Sequence, residues 1–186
     1  MRRATRPSAP QVIRLLDAVV FNALIGNHDA HAKNFSLIYT EKTPMLAPLY
    51  DLLCTAIYPT LTAKMAMKLG SKYRFSEVHE RHWEQFAGAA GLSWAQTRKR
   101  MLRIAGQLSS VARRLQAEAI YRDEALIGDI ANLIEQRCDL TVRRFNSGQT
   151  AVLLQRGDHI SDSSCVEVGG VELVPELDKN STASLR

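Results

Sequence analysis

The sequence predicts a mainly helical α+β fold with one small β-hairpin. Three observations predict it. Apolar residues recur at three- and four-residue steps over residues 12–24 and again over 126–140, the spacing of one helix face. Capping residues and a glycine stop mark two more helices between 76 and 119. Only residues 35–47 read as strand, turn and strand. With 186 residues, 46% apolar and 23% charged, the proportions are ordinary for a globular chain that buries a core, and wholesale disorder is excluded.

Each element has its own signal. Ser8 and Pro10 suit a helix start, because proline is tolerated in the first turn. Val12, Leu15, Leu16, Val19, Val20, Ala23 and Leu24 then form one face, and Gly26 is the expected stop. Residues 26–34 are polar and aperiodic, hence a loop. Phe35 to Tyr39 reads as a strand, Glu41 to Pro44 as a turn, and Met45 to Ala47 as the returning strand. Met65 to Leu69 is expected as a further short extended piece. Ser76 is the expected cap of a helix running to Ala90, with Gly91 after it. Ser93 and Gln96 form a capping box for a long helix to about Ala119. A last helix from about Arg122 to Arg144 would bury Leu126, Ile127, Ile130, Leu133, Ile134 and Leu140.

Charge divides the chain. Residues 1–145 hold 21 basic and 13 acidic side chains, whereas 146–186 hold 3 basic and 6 acidic. Residues 1–145 are therefore expected as one lobe. Residues 146–186 are expected as a separate tail, flexible or a short hairpin around Val166 to Val174. The mild basicity of the first part suits an anionic ligand or a solvated surface. Cys54, Cys138 and Cys165 form no C-x-x-C pair, and one of the three would be left over from any disulfide. That pattern fits a reducing, cytoplasmic setting. The apolar stretch Leu15 to Ile25 is broken by Asp17 and Asn22 and is too short for a membrane span. The arginines at 2, 3 and 6 are not followed at once by an apolar run, so no secretory leader is expected.

The chemistry concentrates in the loop. His28, Asp29, His31, Lys33 and Asn34 fall within seven residues, between an apolar helix and an apolar strand. Phosphoryl transfer needs these types together: a carboxylate to orient the attacking hydroxyl, an amide oxygen for Mg²⁺, and a cation for phosphate charge. Asp51 is the candidate second oxygen ligand. A turn centred on Glu41 to Pro44 pairs residues whose numbers sum to 85, and Asn34 and Asp51 do so. A symmetric hairpin would set them face to face, with roughly 4.5–5.5 Å between Cα atoms.

The run Phe21-Asn22-Ala23-Leu24-Ile25-Gly26-Asn27-His28-Asp29-Ala30-His31-Ala32-Lys33-Asn34-Phe35-Ser36 resembles the catalytic loop of HipA-like toxin kinases, the D-x-H-x-K-N motif. Leu46-Ala47-Pro48-Leu49-Tyr50-Asp51 resembles the metal-binding segment of the same family, and Met65 to Gly70 the segment after it. The resemblance covers roughly residues 8 to 145. It implies a protein-kinase-like carboxy-terminal lobe and ATP-dependent phosphorylation of protein Ser or Thr. Asp29 would be the catalytic aspartate, Asn34 and Asp51 the Mg²⁺ ligands, and Lys33 a neighbour of the γ-phosphate. It also implies a translation-related protein substrate, an aminoacyl-tRNA synthetase in known members. A helix-turn-helix antitoxin is the implied partner, with DNA met only through it and no membrane. In that family an amino-terminal lobe supplies the phosphate-covering loop and the ATP-binding lysine. Here 28 residues precede Asp29, and none of the ten glycines forms G-x-G-x-x-G. The expectation is therefore a lobe lacking that half, from a truncated or split kinase. The alternative is a catalytically inactive fragment serving as a protein interaction module.

Other readings stay beside these. His31 is a catalytic candidate or a brace that holds the loop by a backbone hydrogen bond. Lys33 is a phosphate neighbour or a loop lysine. His28 is expected to face solvent. A metal-dependent hydrolase would need further ligands, and His79, His82 and His159 show no such spacing. A small-molecule phosphotransferase of the aminoglycoside-kinase type shares only the Asp29 to Asn34 spacing. Arg98, Lys99, Arg100 and Arg103 read as a solvated helix face rather than a nucleic-acid site.

Overall fold

Helix α1 spans Ser8–Ile25 and buries Val12, Leu16, Val20, Ala23 and Leu24. The computed structural model describes residues 8–39 and 44–155, with the backbone alone for Ser8 and 148–155. α1 stops where the sequence places the stop. Gly26 has φ +80°, and the Asn27 N–H returns to the Asn22 carbonyl at 2.9 Å, closing the last turn. No other residue fits there. A Cβ on Gly26 would lie 2.8 Å from the Ala56 Cβ and 2.9 Å from Leu133 Cδ2.

The hairpin is β1 (Leu37–Ile38) against β2 (Met45–Leu46), antiparallel. Its register differs from the expectation. Leu37 pairs with Leu46 and Ile38 with Met45, so paired numbers sum to 83, not 85. The bond from Ala47 N to Ser36 O at 2.9 Å continues that register. The register is thus shifted by two in paired number from the one a turn centred on Glu41 to Pro44 suggests, and residues 40–43 lie outside the described part. The hairpin is tied to α1 by polar groups. Gln11 Oε1 accepts from Leu46 N at 2.9 Å, and Arg14 donates to Leu46 O at 3.1 Å.

Residues 65–69 make no ladder strand. Leu69 and Lys72 form an isolated bridge, closing a tight loop in which Gly70 takes φ +57°. Helix α2 covers Glu80–Ala89, with His79 rather than Ser76 as its cap residue. Residues 75–77 form a separate 3-10 turn. The reason lies on a distant helix. The Arg144 guanidinium takes the carbonyls of Ser76 (2.7 Å) and Val78, which a helix capped at Ser76 would spend on its own ladder, and that of Phe75 before them.

Helix α3 covers Trp94–Gln116; Ser93 is its cap residue, but its hydroxyl makes no capping bond, so the expected capping box does not form. Helix α4 covers Ala125–Gln155 and starts and ends later than expected. It runs through 146–155, the first part of the segment expected as a tail. Asn146 to Thr150 carry no apolar period, but extending a formed helix costs far less than nucleating one. The hairpin expected around 166–174 lies outside the described residues. The buried stripe of α4 is Ala131, Ile134, Cys138, Thr141 and Phe145, while Leu126 is exposed. Phe145 packs edge-on against Trp94 at 5.7 Å between centroids, which sets α4 antiparallel to α3. The core gathers Leu16, Val20 and Leu24 of α1, Trp83 of α2, Met101 and Ala105 of α3, and Ile134, Cys138 and Phe145 of α4. Among the described residues no helix is long and apolar enough to cross a membrane.

The basic residues of α3 divide. Arg98 bonds Glu80 and the Phe145 carbonyl, and Arg100 grips Asp17 with both nitrogens. These two tie helices together, against the expectation of a wholly solvated face.

Candidate active site

The site is built outward from Asn27, a buried residue that sequence reasoning passed over. Its amide has two N–H groups and both are used, toward Asn22 Oδ1 and the Asp51 carbonyl, each at 2.8 Å. Its Oδ1 accepts from Asp29 N at 3.1 Å. Asn22 is fixed in turn by the Ala18 carbonyl at 2.9 Å. One side chain at the end of α1 therefore holds the backbone of both acidic candidates.

Asn34 makes the second link. Its Nδ2 donates to Asp51 Oδ2 at 2.6 Å, and its Oδ1 accepts from the His31 backbone N–H at 2.8 Å. The His31 donor fixes the amide orientation, since only an oxygen can accept there. Asp51 adopts φ +57°, a left-handed conformation that aspartate tolerates better than most residues. That bend turns its carboxylate toward Asn34 although the ladder register pairs neither with the other.

The structure thus joins Asn34 and Asp51 directly, and Asp29 to Asp51 through Asn27. Asn34 is buried, whereas Asp29, Lys33 and Asp51 are exposed. Lys33 is positioned by its backbone: the Tyr50 hydroxyl donates to the Lys33 carbonyl at 2.6 Å. His31 braces the loop through its main chain. Its Nδ1 is buried without a hydrogen-bond partner among the described residues, and the bracing bond comes from its main-chain N–H.

A second layer secures the loop from beneath. His28 N donates to Thr55 Oγ1 at 2.8 Å, Ala56 N to the Gly26 carbonyl at 3.0 Å, and Ala66 N to the His28 carbonyl at 2.7 Å. His28 does not face solvent as expected. It is half-buried, with its ring between Arg137 and the Thr62 carbonyl. Burial first, and the Arg137 charge second, hold its imidazole below the ordinary histidine range. Thr55 and Arg137 carry no local sequence signal for this role.

Asn34 Oδ1 and the Asp51 carboxylate are hard oxygen donors of the kind Mg²⁺ selects; the amide presents Nδ2 to Asp51 and Oδ1 to the His31 N–H, so Oδ1 would ligate through its second lone pair. Among the described residues, no three His, Cys, Asp or Glu side chains cluster as a metal site. A pair of oxygen ligands instead suits an ion whose remaining positions go to water and phosphate.

A model of the HipA-like C-terminal domain family matches residues 1–115. The chain is 39% identical over 142 residues to "Putative kinase Y4mE" of Sinorhizobium fredii, covering 75% of this chain and 34% of that protein. It is 30% identical over 78 residues to the serine/threonine-protein kinase toxin HipA of Shewanella oneidensis, 42% of this chain and 18% of that one. A chain of the Shewanella oneidensis MR-1 complex of HipA, HipB and operator DNA has the same fold, with a TM-score of 0.63 at 21% identity over 72% of this chain and 32% of that one. The chain spans about a third of the length of these first matches.

Proposed function

The chain belongs to the HipA-like C-terminal domain family, and from that premise we propose that residues 1–145 form the catalytic lobe of a Ser/Thr protein kinase. Its reaction is ATP-dependent phosphoryl transfer to a protein hydroxyl, within a toxin–antitoxin system. The observation that carries this reading is the 2.6 Å contact of Asn34 with Asp51, on the amide network that also holds Asp29.

Asp29 accepts the hydrogen bond of the attacking hydroxyl and orients it. Asn34 Oδ1 and Asp51 would hold Mg²⁺, which would supply positive charge against the ATP phosphates. Lys33 projects a cation from the same loop toward the γ-phosphate, and His31 supports it through its main chain. Phosphoryl transfer depends mostly on positioning, and the shared Asn27 anchor supports that role. A helix-turn-helix antitoxin is the proposed partner, with DNA bound through it. The solved relative, a complex of HipA with HipB and operator DNA, supports this. The proposed setting is cytoplasmic, and Cys54 and Cys138 are free thiols.

Because the relatives are longer, the test supplies the rest of the enzyme. The chain is mixed with the amino-terminal lobe of a HipA-like kinase, ATP, Mg²⁺ and a Ser/Thr protein substrate. Phosphate transfer is expected, and Asp29→Ala abolishes it. No transfer, or a mutant at full rate, overturns the assignment.

A further inference from the structure

Arg137 lies in the middle of α4, 109 residues from the loop it touches. It is largely buried, and no described carboxylate pairs with it. Its partners are of three kinds. Nη1 donates to the Ala23 carbonyl at 2.8 Å, in the last turn of α1, where backbone carbonyls lack helical partners and the helix end is negative. Nη2 contacts His28 Nε2 at 2.8 Å. The guanidinium carbon sits 4.5 Å from the centroid of the Phe75 ring, a cation–π contact.

The chemistry of these atoms fixes a proton. A guanidinium has only N–H groups, so it must donate and His28 Nε2 must accept. His28 Nδ1 lies 3.2 Å from the Thr62 carbonyl, which can only accept, so Nδ1 carries the hydrogen. One arrangement satisfies both contacts: a neutral imidazole protonated at Nδ1. A cationic imidazole would turn an N–H against the guanidinium. The low position of His28 agrees, and Arg137, brought down to about 10 by burial, is still charged at neutral pH.

We propose that Arg137 is a positioning residue that sets the pose of Asp29. It holds His28 as the Nδ1-protonated tautomer and so fixes the peptide unit from which the aspartate projects. His28 precedes Asp29 directly, and its carbonyl is held by Ala66 N, so rotation of this residue moves the carboxylate. The functional weight of the proposal rests on the reading of Asp29 as the transfer-site carboxylate. The linkage itself does not.

The experiment uses the ¹⁵N-labelled protein and two kinds of variant. In the wild type, imidazole nitrogen spectra at neutral pH should show His28 protonated at Nδ1 with a free Nε2. Arg137→Met removes the donor to Nε2 while the Thr62 carbonyl still favours a hydrogen on Nδ1, so the Nε2 resonance should shift and the share of the Nδ1-protonated form should fall below that of the wild type. The same variant should also displace the Asp29 amide resonance while leaving α3 unmoved. Should Arg137→Met not fold, the loop side decides. His28→Gln offers a side-chain oxygen to the guanidinium and should keep the Asp29 amide near its wild-type position; His28→Leu should not. With the amino-terminal lobe added, kcat should fall on the order of tenfold or more in His28→Leu at unchanged KM, and less in His28→Gln. An Nε2-protonated His28 in the wild type, or equal Asp29 shifts in the Gln and Leu variants, overturns the linkage. Intact spectra with no phosphate transfer by any form would instead overturn the kinase reading and, with it, the functional part of the proposal.

Discussion

Asn34 Nδ2 and Asp51 Oδ2 meet at 2.6 Å across 17 residues of sequence, outside the register of the hairpin that separates them. Two anchors make the contact. Asn27 fixes the Asp51 backbone, and the left-handed turn at Asp51 redirects its side chain. The arrangement is costly in isolation, since a non-glycine residue there loses about 1–2 kcal/mol. The hydrogen bonds on either side offset it.

Asp51 therefore has separable backbone and side-chain roles. Asp51→Gly removes the carboxylate but suits φ +57°. Asp51→Ala removes the carboxylate and keeps the strain. Both variants should lose Mg²⁺-dependent nucleotide binding in calorimetry with the complementing lobe present. In urea unfolding the alanine variant should be the less stable, by on the order of 0.5–1 kcal/mol. Equal stabilities would show that the turn is not strained.

Asn27 should behave as a structural residue with a functional phenotype. Asn27→Ala leaves the Asn22 side-chain oxygen and the Asp51 carbonyl without their donor, and each unsatisfied buried group costs about 1–3 kcal/mol. Asn27→Asp should be no better, because a carboxylate can only accept where two donors are needed. Denaturant midpoints of the two variants should fall together; an Asp variant as stable as wild type would refute the donor role.

Two glycines give opposite expectations for the same change. Gly26→Ala meets both a positive φ and a 2.8 Å clash with Ala56, so a loss on the order of 2 kcal/mol or more is expected. Gly106 lies inside α3, and a Cβ added there would meet nothing within 4 Å, so Gly106→Ala should gain about 0.5–1 kcal/mol. Thermal unfolding of both variants measures the contrast.

What the sequence disclosed follows from the range of each interaction. The end of α1 was legible because a glycine stop is local. The loop from Gly26 to Asn34 was legible because a polar, aperiodic stretch between apolar elements needs no tertiary knowledge. The hairpin was legible, but its register was not, because a turn motif locates a reversal only to within a residue or two. Asn27 was hidden: an asparagine after a glycine reads as a turn residue, and its partners Asn22 and Asp51 lie on either side of the hairpin. The start of α2 was hidden because Arg144, 66 to 69 residues away, takes the carbonyls that decide it. Arg137 was hidden for the same reason, and on sequence it resembles any surface arginine of a long helix.

The half-buried His28 imidazole also predicts how stability depends on pH. His28 sits below its ordinary value of 6.5 in the folded protein, through burial first and Arg137 second. Above 6.5 both folded and unfolded chains hold it neutral, and pH has no effect through this group. Below 6.5 the unfolded chain takes up a proton that the folded protein refuses, so stability falls on acidification. The fall ends once the pH passes below the lowered folded value. Unfolding midpoints between pH 7.5 and 5 should therefore decline less steeply in His28→Gln than in wild type. Arg137→Met removes the second cause but not the burial, so its slope should lie between the two. If His28→Gln and wild type decline in parallel, the acid sensitivity belongs to other groups and His28 titrates as it does in the unfolded chain.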